Sequence, residues 1–305
     1  MFWSVLKIIR PVNLLLIALA QGLIKFTLFE AFEIPLALDN FGFLLLTFSS
    51  VCIAAGGNVI NDLYDVKIDA INNPHKVIVG KTLSEEAANY LYVTLTTLGV
   101  SSGFWVSNIV GKPSLAIIFI AIAALLYWYA TGLKSILLIG NLIISVLVAL
   151  SLLIVVLFDI YPVLRQDSNS IYFALSRVVF NYAVCAFYLN FMREIIKDIQ
   201  DINGDKNGGK NTLAIVLGIS RTKIIVFALG VFALFMLLLS CYHYFYEYQW
   251  PLIYFIFLIG GPLLFFCIKI FQAEKPKQFF FPSLLLKIIM LLGVGSLSFI
   301  KILIA

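Results

Sequence analysis

Apolar runs alternate with short polar stretches along almost the whole chain, and most runs are too long for strands or for the core faces of soluble helices. They fall at roughly 11–29, 41–60, 88–107, 114–130, 136–158, 171–192, 213–242, 251–271 and 283–304. About 20 apolar residues in a helix span a hydrocarbon core of about 30 Å. The pattern therefore predicts an all-α polytopic membrane protein, a bundle of nine transmembrane helices. Composition agrees: the chain is 62% hydrophobic and 12% charged, with a mean hydropathy of +1.03, whereas soluble domains are about 25% charged. No low-complexity linker divides the 305 residues, so 1–305 reads as a single membrane domain. The first run follows Lys7 and Arg10 as a signal peptide would. Phe29-Glu30-Ala31-Phe32-Glu33 is a poor cleavage site, however, and the run reads as a retained first helix.

The basic residues give this bundle a direction. With a cytoplasmic N-terminus, sixteen lysines and arginines fall on the inner side, and five (Lys25, Lys112, Arg165, Arg177 and Lys301) on the outer side. That asymmetry is the positive-inside pattern. The net charge of +5 then reflects orientation among membrane lipids, and no nucleic-acid partner is indicated. Cys52, Cys185, Cys241 and Cys267 are isolated in apolar stretches without a Cys-x-x-Cys pair and read as small core residues. His75 and His243 are too far apart for a zinc site.

Against this apolar background, Asp62-x-x-Asp65-x-x-x-Asp69 recurs 136 residues later as Asp198-x-x-Asp201-x-x-x-Asp205. The two runs hold six of the nine aspartates. On a helix, positions i, i+3 and i+7 share one face, so each run can align three carboxylates, with Asn58 on the first face and Asn61 beside it. Carboxylates that close repel one another unless a hard cation neutralises them, and Mg²⁺ favours a few carboxylates plus substrate phosphate oxygens. In the expected topology both runs emerge on the cytoplasmic side, after the second and sixth spans. Gly204, Gly208 and Gly209 are expected to end the second helix and leave Asp205 in the loop beyond. The bland alternative is a pair of solvated helix ends whose acids pair with neighbouring lysines. Two matched acidic runs at a membrane edge argue instead for a site that takes a lipid diphosphate.

With these motifs the chain resembles the UbiA superfamily of intramembrane prenyltransferases. The marks of that superfamily are Asn-x-x-x-Asp-x-x-x-Asp and a later Asp-x-x-x-Asp. Asn61, Asp65 and Asp69 match the first, and Asp201 and Asp205 the second. Arg10-Pro11-x-Asn13, Tyr129-Ala-Thr-Gly-Leu-Lys134 and Gly140-Asn141 extend the resemblance over nearly the whole chain. It implies Mg²⁺-dependent transfer of a polyprenyl group from its diphosphate to a hydrophobic acceptor. The catalytic carboxylates would be Asp65, Asp69, Asp201 and Asp205, and the metal-ligand candidates Asn61, Asp62, Asp65, Asp69, Asp198, Asp201 and Asp205. Lys134 and Arg193, then Lys67, Lys197 and Lys210, would bind the diphosphate; their alternative is contact with headgroups. Asn13 and Asn58 would add polar contacts, or Asn13 an interhelical hydrogen bond. Tyr129, Tyr64 and Tyr188 could face an allylic cation, or simply pack.

Within the superfamily, Arg193-Glu-Ile-Ile-Lys-Asp-Ile-x-Asp-x-x-Gly-Asp205 looks most like the branch that makes digeranylgeranylglyceryl phosphate, by forming an ether on a glycerol phosphate lipid. His75-Lys76-Val-Ile-Val-Gly80 departs from the Arg-Pro-x-Pro-Ser-Gly usual there. An aromatic acceptor, as in quinone biosynthesis, therefore stays open. Lys76 and Lys81 are the nearest unclaimed charges for an acceptor phosphate. Two other classes fit less well. A cation-coupled transporter would carry its acids near the bilayer midplane, and a CDP-alcohol phosphotransferase expects Asp-Gly followed by Ala-Arg, absent after Asp62 and Asp65.

Overall fold

The computed structural model describes residues 2–75, 77–164 and 170–300. A short helix, α1 (Phe2–Ile9), precedes α2 (Pro11–Phe32), α3 (Asn40–Tyr64), α4 (Val66–Asn72), α5 (Glu85–Ile109), α6 (Pro113–Thr131) and α7 (Ile139–Val163). The second half comprises α8 (Ser170–Gln200), α9 (Ile202–Asn207), α10 (Leu213–Leu217), α11 (Ile219–Phe245), α12 (Gln249–Gln272) and α13 (Pro276–Phe299). Local chemistry starts these helices where they start. Asp39 caps α3 by accepting from the Gly42 amide at 2.8 Å, and Ser84 caps α5 by accepting from Ala87 at 3.1 Å. Pro11, Pro113 and Pro276 open their helices at positions that need no amide donor.

Eight helices among the described residues are long and apolar enough to cross a membrane: α2, α3, α6, α7, α8, α11, α12 and α13. The ninth expected span is α5. At 25 residues it is long enough, but Asn89, Tyr92, Thr94, Thr96, Thr97, Ser101 and Ser102 leave it less apolar than the other eight. Its small residues lie against α3. A Cβ on Gly99 would sit 2.6 Å from Ile53, and Ser49 Oγ donates to the Gly99 carbonyl at 2.6 Å. Small residues at a helix contact allow this backbone approach, which supplies van der Waals contact where lipid removes the hydrophobic drive. The run expected over 213–242 is interrupted at Gly218 (φ 82°), which separates α10 from α11.

Apolar packing gathers into two main cores. One joins α2, α3, α6, α7 and the first half of α8; the other joins the second half of α8 to α10–α13. Lys25, expected as an outer-side charge, is buried in the first. Its Nζ lies 3.1 Å from Asp159 Oδ1 and donates to the Leu38 carbonyl at 2.6 Å, while the Leu38 amide donates to the same carboxylate at 3.0 Å. The pair ties α2 to α7 across 134 residues of sequence.

Candidate functional site

Neither aspartate motif lies on one continuous helix. The chain kinks at Asp65 (φ −94°, ψ 4°) and at Asp201 (φ −98°, ψ 10°), in the sparsely populated bridge region. The i to i+4 backbone bonds continue through both kinks: Asp69 to Asp65 at 2.8 Å, Asp205 to Asp201 at 3.0 Å. No proline or glycine marks either position, so a straight three-carboxylate face was the natural expectation from spacing. Instead each kink redirects the last aspartate of its motif. Asp205 is also not in a loop after Gly204; it lies within α9 and is 4% exposed.

The two redirected helices, α4 and α9, dock on each other. Asn72 Nδ2 donates to the Asp201 carbonyl at 2.9 Å, and its Oδ1 accepts from the Gly204 amide at 2.7 Å. A Cβ on Gly204 would fall 2.4 Å from Asn72 Nδ2, and one on Gly208 2.6 Å from Ile68. Glycines in the second motif thus serve the approach of the first, and helix ending is only part of their use.

Docking brings carboxylates of both motifs around two lysines. Lys134 Nζ lies 2.9 Å from Asp65 Oδ1 and 3.2 Å from Asn61 Oδ1. Lys210 Nζ lies 2.9 Å from Asp205 Oδ1 and 3.5 Å from Asp65 Oδ1, so one ammonium touches both motifs. Burial lowers the pKa of Lys134, with Asp65 opposing it. Burial also works against the Lys210 charge, but Asp65 and Asp205 outweigh it and raise that pKa. Asp205 is pushed up by burial, with Lys210 opposing. Asp69 is pushed up to about 6, first by burial and then by Asp65 and Asp62. The remaining aspartates have partners of their own. Arg10 contacts Asp62 and reaches Asn58 at 3.4 Å, and Asn141 Nδ2 donates to Asp198 Oδ2 at 2.9 Å.

Among the described residues no three acidic, histidine or cysteine side chains converge on a single point. Hard oxygen donors with ammonium groups between them nevertheless suit a divalent cation that displaces those groups. Asp65 Oδ1 fits this: it is buried, with two ammonium groups at ion-pair distance but no hydrogen bond aimed at it.

Beside the motifs opens a cavity of ≈ 340 Å³. Asn13, Asn58, Asn61, Tyr129, Arg193 and Lys197, all singled out from the sequence, line it. Below this polar rim the walls are apolar, from Leu16, Ile53, Ile122, Leu126 and Leu147 down to Phe119 and Tyr182. Leu19 and Leu291 line it and are exposed.

Several expectations are corrected. Tyr64 is exposed and packs edge-on against Tyr127, away from the cavity, and the Tyr188 hydroxyl donates to the Leu229 carbonyl at 2.8 Å. Lys67 is exposed and forms no ion pair with the described residues. Lys81 Nζ is spent on the Pro74 carbonyl at 2.7 Å, and Lys76 lies outside the described residues. Asn13 keeps its place on the cavity and also makes the interhelical bond weighed as its alternative, accepting from Lys287 Nζ at 2.6 Å. Two charged lining residues were missed, Glu194 and Lys287. A charge inside a run as apolar as 283–304 is itself the signal that could have found Lys287.

A family model described as the UbiA prenyltransferase family matches residues 14–289. The digeranylgeranylglyceryl phosphate synthase of Saccharolobus solfataricus is 33% identical over 265 residues, covering 85% of this chain and 86% of the relative. That of Methanobrevibacter smithii is 33% identical over 268 residues, with 85% and 86% covered. Among solved structures, one of a digeranylgeranylglyceryl phosphate synthase superposes with a TM-score of 0.62 at 25% identity, covering 97% of this chain and 98% of the other. A UbiA homologue from Archaeoglobus fulgidus, solved with GPP and Mg²⁺, shares the fold with a TM-score of 0.58 at 15% identity, over 97% and 99%.

Proposed function

Because this chain belongs to the UbiA prenyltransferase family, as an integral multi-pass membrane enzyme, we propose that it moves a prenyl group, geranylgeranyl in the first instance, from its diphosphate to a glycerol phosphate lipid. The observation that carries this reading is the meeting of the two aspartate motifs around Lys210 at the rim of an apolar cavity. The names of the relatives point to the same acceptor and prenyl group. The site would face the cytoplasm, supported by the sixteen-to-five bias of basic residues.

Asp65, Asp69, Asp201 and Asp205, with Asn61 and the outlying Asp62 and Asp198, would hold Mg²⁺ and orient the diphosphate. When bound, the metal neutralises charge developing on the leaving group. Lys134 and Lys210, released from Asp65 and Asp205, would turn to diphosphate oxygens. The apolar wall from Leu126 to Phe119 would take the tail and exclude water from an allylic cation. Tyr129, at the junction of rim and wall, would present its ring there. The exposed edge at Leu19 and Leu291 would admit long tails from the bilayer. The reading is tested with purified protein in nanodiscs, supplied with radiolabelled geranylgeranyl diphosphate, Mg²⁺ and a panel of glycerol phosphate lipids and hydroxybenzoates. We expect an ether product on the glycerol phosphate lipid. Prenylated hydroxybenzoate with no glycerol product would replace this acceptor with an aromatic one.

Two further outcomes follow from the site's construction. Gly204→Ala should push Asn72 off α9 and separate the motifs, cutting transfer by up to about 10²-fold while helical content is kept; activity beside circular dichroism checks this. Asp69, with its carboxyl held up at about 6, binds a proton more tightly folded than unfolded. Its contribution to stability is therefore full below the ordinary carboxylate value of about 4 and is lost as pH rises through about 6. Metal-free protein should accordingly lose melting temperature over that window. Mg²⁺, by displacing the proton, should restore it, and a melting series in EDTA and in Mg²⁺ measures both.

A further inference from the structure

The rim carries a second charged group whose balance is opposite to that of the aspartates. Arg193 and Lys197, near the motif end of α8, share one carboxylate: Glu194 Oε1 lies 3.3 Å from Arg193 Nη1 and 2.6 Å from Lys197 Nζ. Facing them from α13 is Lys287, whose partner is the neutral Asn13 side chain at 2.6 Å. All line the same cavity. Three cations against one carboxylate leave an excess of two positive charges at the mouth of an apolar chamber. Around Lys134 and Lys210, by contrast, the two lysines are matched by Asp65 and Asp205, with the other carboxylates of the motifs close by.

An uncompensated cation in such a place is costly unless an anion completes it. One donor there finds no acceptor among the described residues: Arg193 Nε is buried and makes no hydrogen bond with them. Buried N–H groups are nearly always paired, so this one marks a place for an acceptor atom. Arg193 and Lys287 line the same cavity from two helices, so one ligand there can meet both cations. A guanidinium matches phosphate oxygens in bidentate fashion, and an ammonium adds a point charge.

We propose that Arg193, Lys287 and Lys197 form a phosphate-monoester site for the acceptor lipid, separate from the diphosphate site on the aspartate motifs. The assignment rests on the functional reading given above and deepens it. It moves Arg193 and Lys197 from the diphosphate to the acceptor, and it replaces Lys81, which is bound to its own loop. A monoester dianion would match the excess charge of the group. The acceptor's glycerol would then lie over the cavity mouth between the two anion sites, and its own prenyl chain would leave past Leu291, next along α13.

The test is a split between substrates. Lys287→Met and Arg193→Gln are assayed in zwitterionic nanodiscs, where bulk lipid supplies no competing phosphate monoester. The acceptors are a glycerol phosphate carrying one geranylgeranyl ether and the same lipid without its phosphate. Each variant should raise KM for the phosphorylated acceptor by at least about ten-fold while KM for geranylgeranyl diphosphate moves by less than about two-fold. The preference for the phosphorylated over the dephosphorylated acceptor should fall by the same factor, and Lys287→Arg should keep most of it. Among the described residues Lys287 bonds Asn13 alone, so its variant decides the matter if Arg193→Gln does not fold. An equal rise in KM for both substrates, or an unchanged preference, would overturn the assignment and leave the functional reading standing. Wild-type protein that prenylates no glycerol phosphate lipid would overturn both.

Discussion

Asp65→Ala is expected to cost prenyl transfer about 10³-fold or more, with the helical bundle intact. Asp65 is the residue on which both motifs converge. It sits at the first kink, 7% exposed, with Lys134 and Lys210 both at its Oδ1. Removing it takes away a metal ligand and frees two ammonium groups to sit among the remaining aspartates as competitors for the metal. Folding should survive because the docking of α4 on α9 runs through Asn72, Gly204 and the Asp201 backbone, none of which needs the Asp65 side chain. Asp201→Ala should behave alike. Asp62→Asn should cost less, since Asp62 is already paired with Arg10. Steady-state turnover at saturating Mg²⁺ orders the three variants, and near-normal rates for Asp65→Ala would remove the aspartates from the mechanism.

The largest effect on stability is expected far from that rim, at Lys25. Lys25→Met leaves the Asp159 carboxylate buried with no cation, and both side chains are almost wholly enclosed, at 2% and 0% exposure. Breaking one partner of a buried ion pair costs about 3–5 kcal/mol, whereas replacing both with apolar residues is often neutral. The double variant Lys25→Met, Asp159→Leu should therefore recover most of what the single variant loses. It would still forgo the bonds that the Asp159 carboxylate accepts from the Leu38 amide and Lys25 gives to the Leu38 carbonyl. Thermal unfolding of the three proteins in detergent reads this directly.

What the chain discloses in advance depends on whether the signal is local. The apolar runs show where helices cross, because 20 apolar residues mean the same in any neighbourhood. The aspartate runs announce themselves because six carboxylates in so apolar a chain need a reason. The kinks at Asp65 and Asp201 carry no such mark: the backbone bonds run straight through them, and no proline or glycine stands at either. Spacing thus predicted neither kink, and Asp205, expected in a loop, lies within α9. Periodicity also tells which side of its own helix a residue is on, and nothing about which helix it meets. Hence Tyr64 and Tyr188 looked equivalent to Tyr129, and only Tyr129 reaches the cavity. Lys25 looked like an ordinary outer charge because its pairing with Asp159 spans 134 residues. Glu194 was passed over between two basic residues that drew attention as diphosphate ligands. The α5 helix shows the reverse: read as an ordinary span, it owes its place to small residues packed on α3.

The most direct test of the central claim, that the two motifs make one metal–diphosphate site, is to locate the metal. The protein would be solved with Mn²⁺ in place of Mg²⁺ and a thiolodiphosphate analogue of geranylgeranyl diphosphate that does not react. The account predicts anomalous density for Mn²⁺ between Asp65 and Asp205, Lys134 and Lys210 turned onto diphosphate oxygens, and the tail running past Leu126 towards Phe119. Mn²⁺ bound at one motif alone, or an analogue seated with its diphosphate on Arg193 and Lys287, would contradict it.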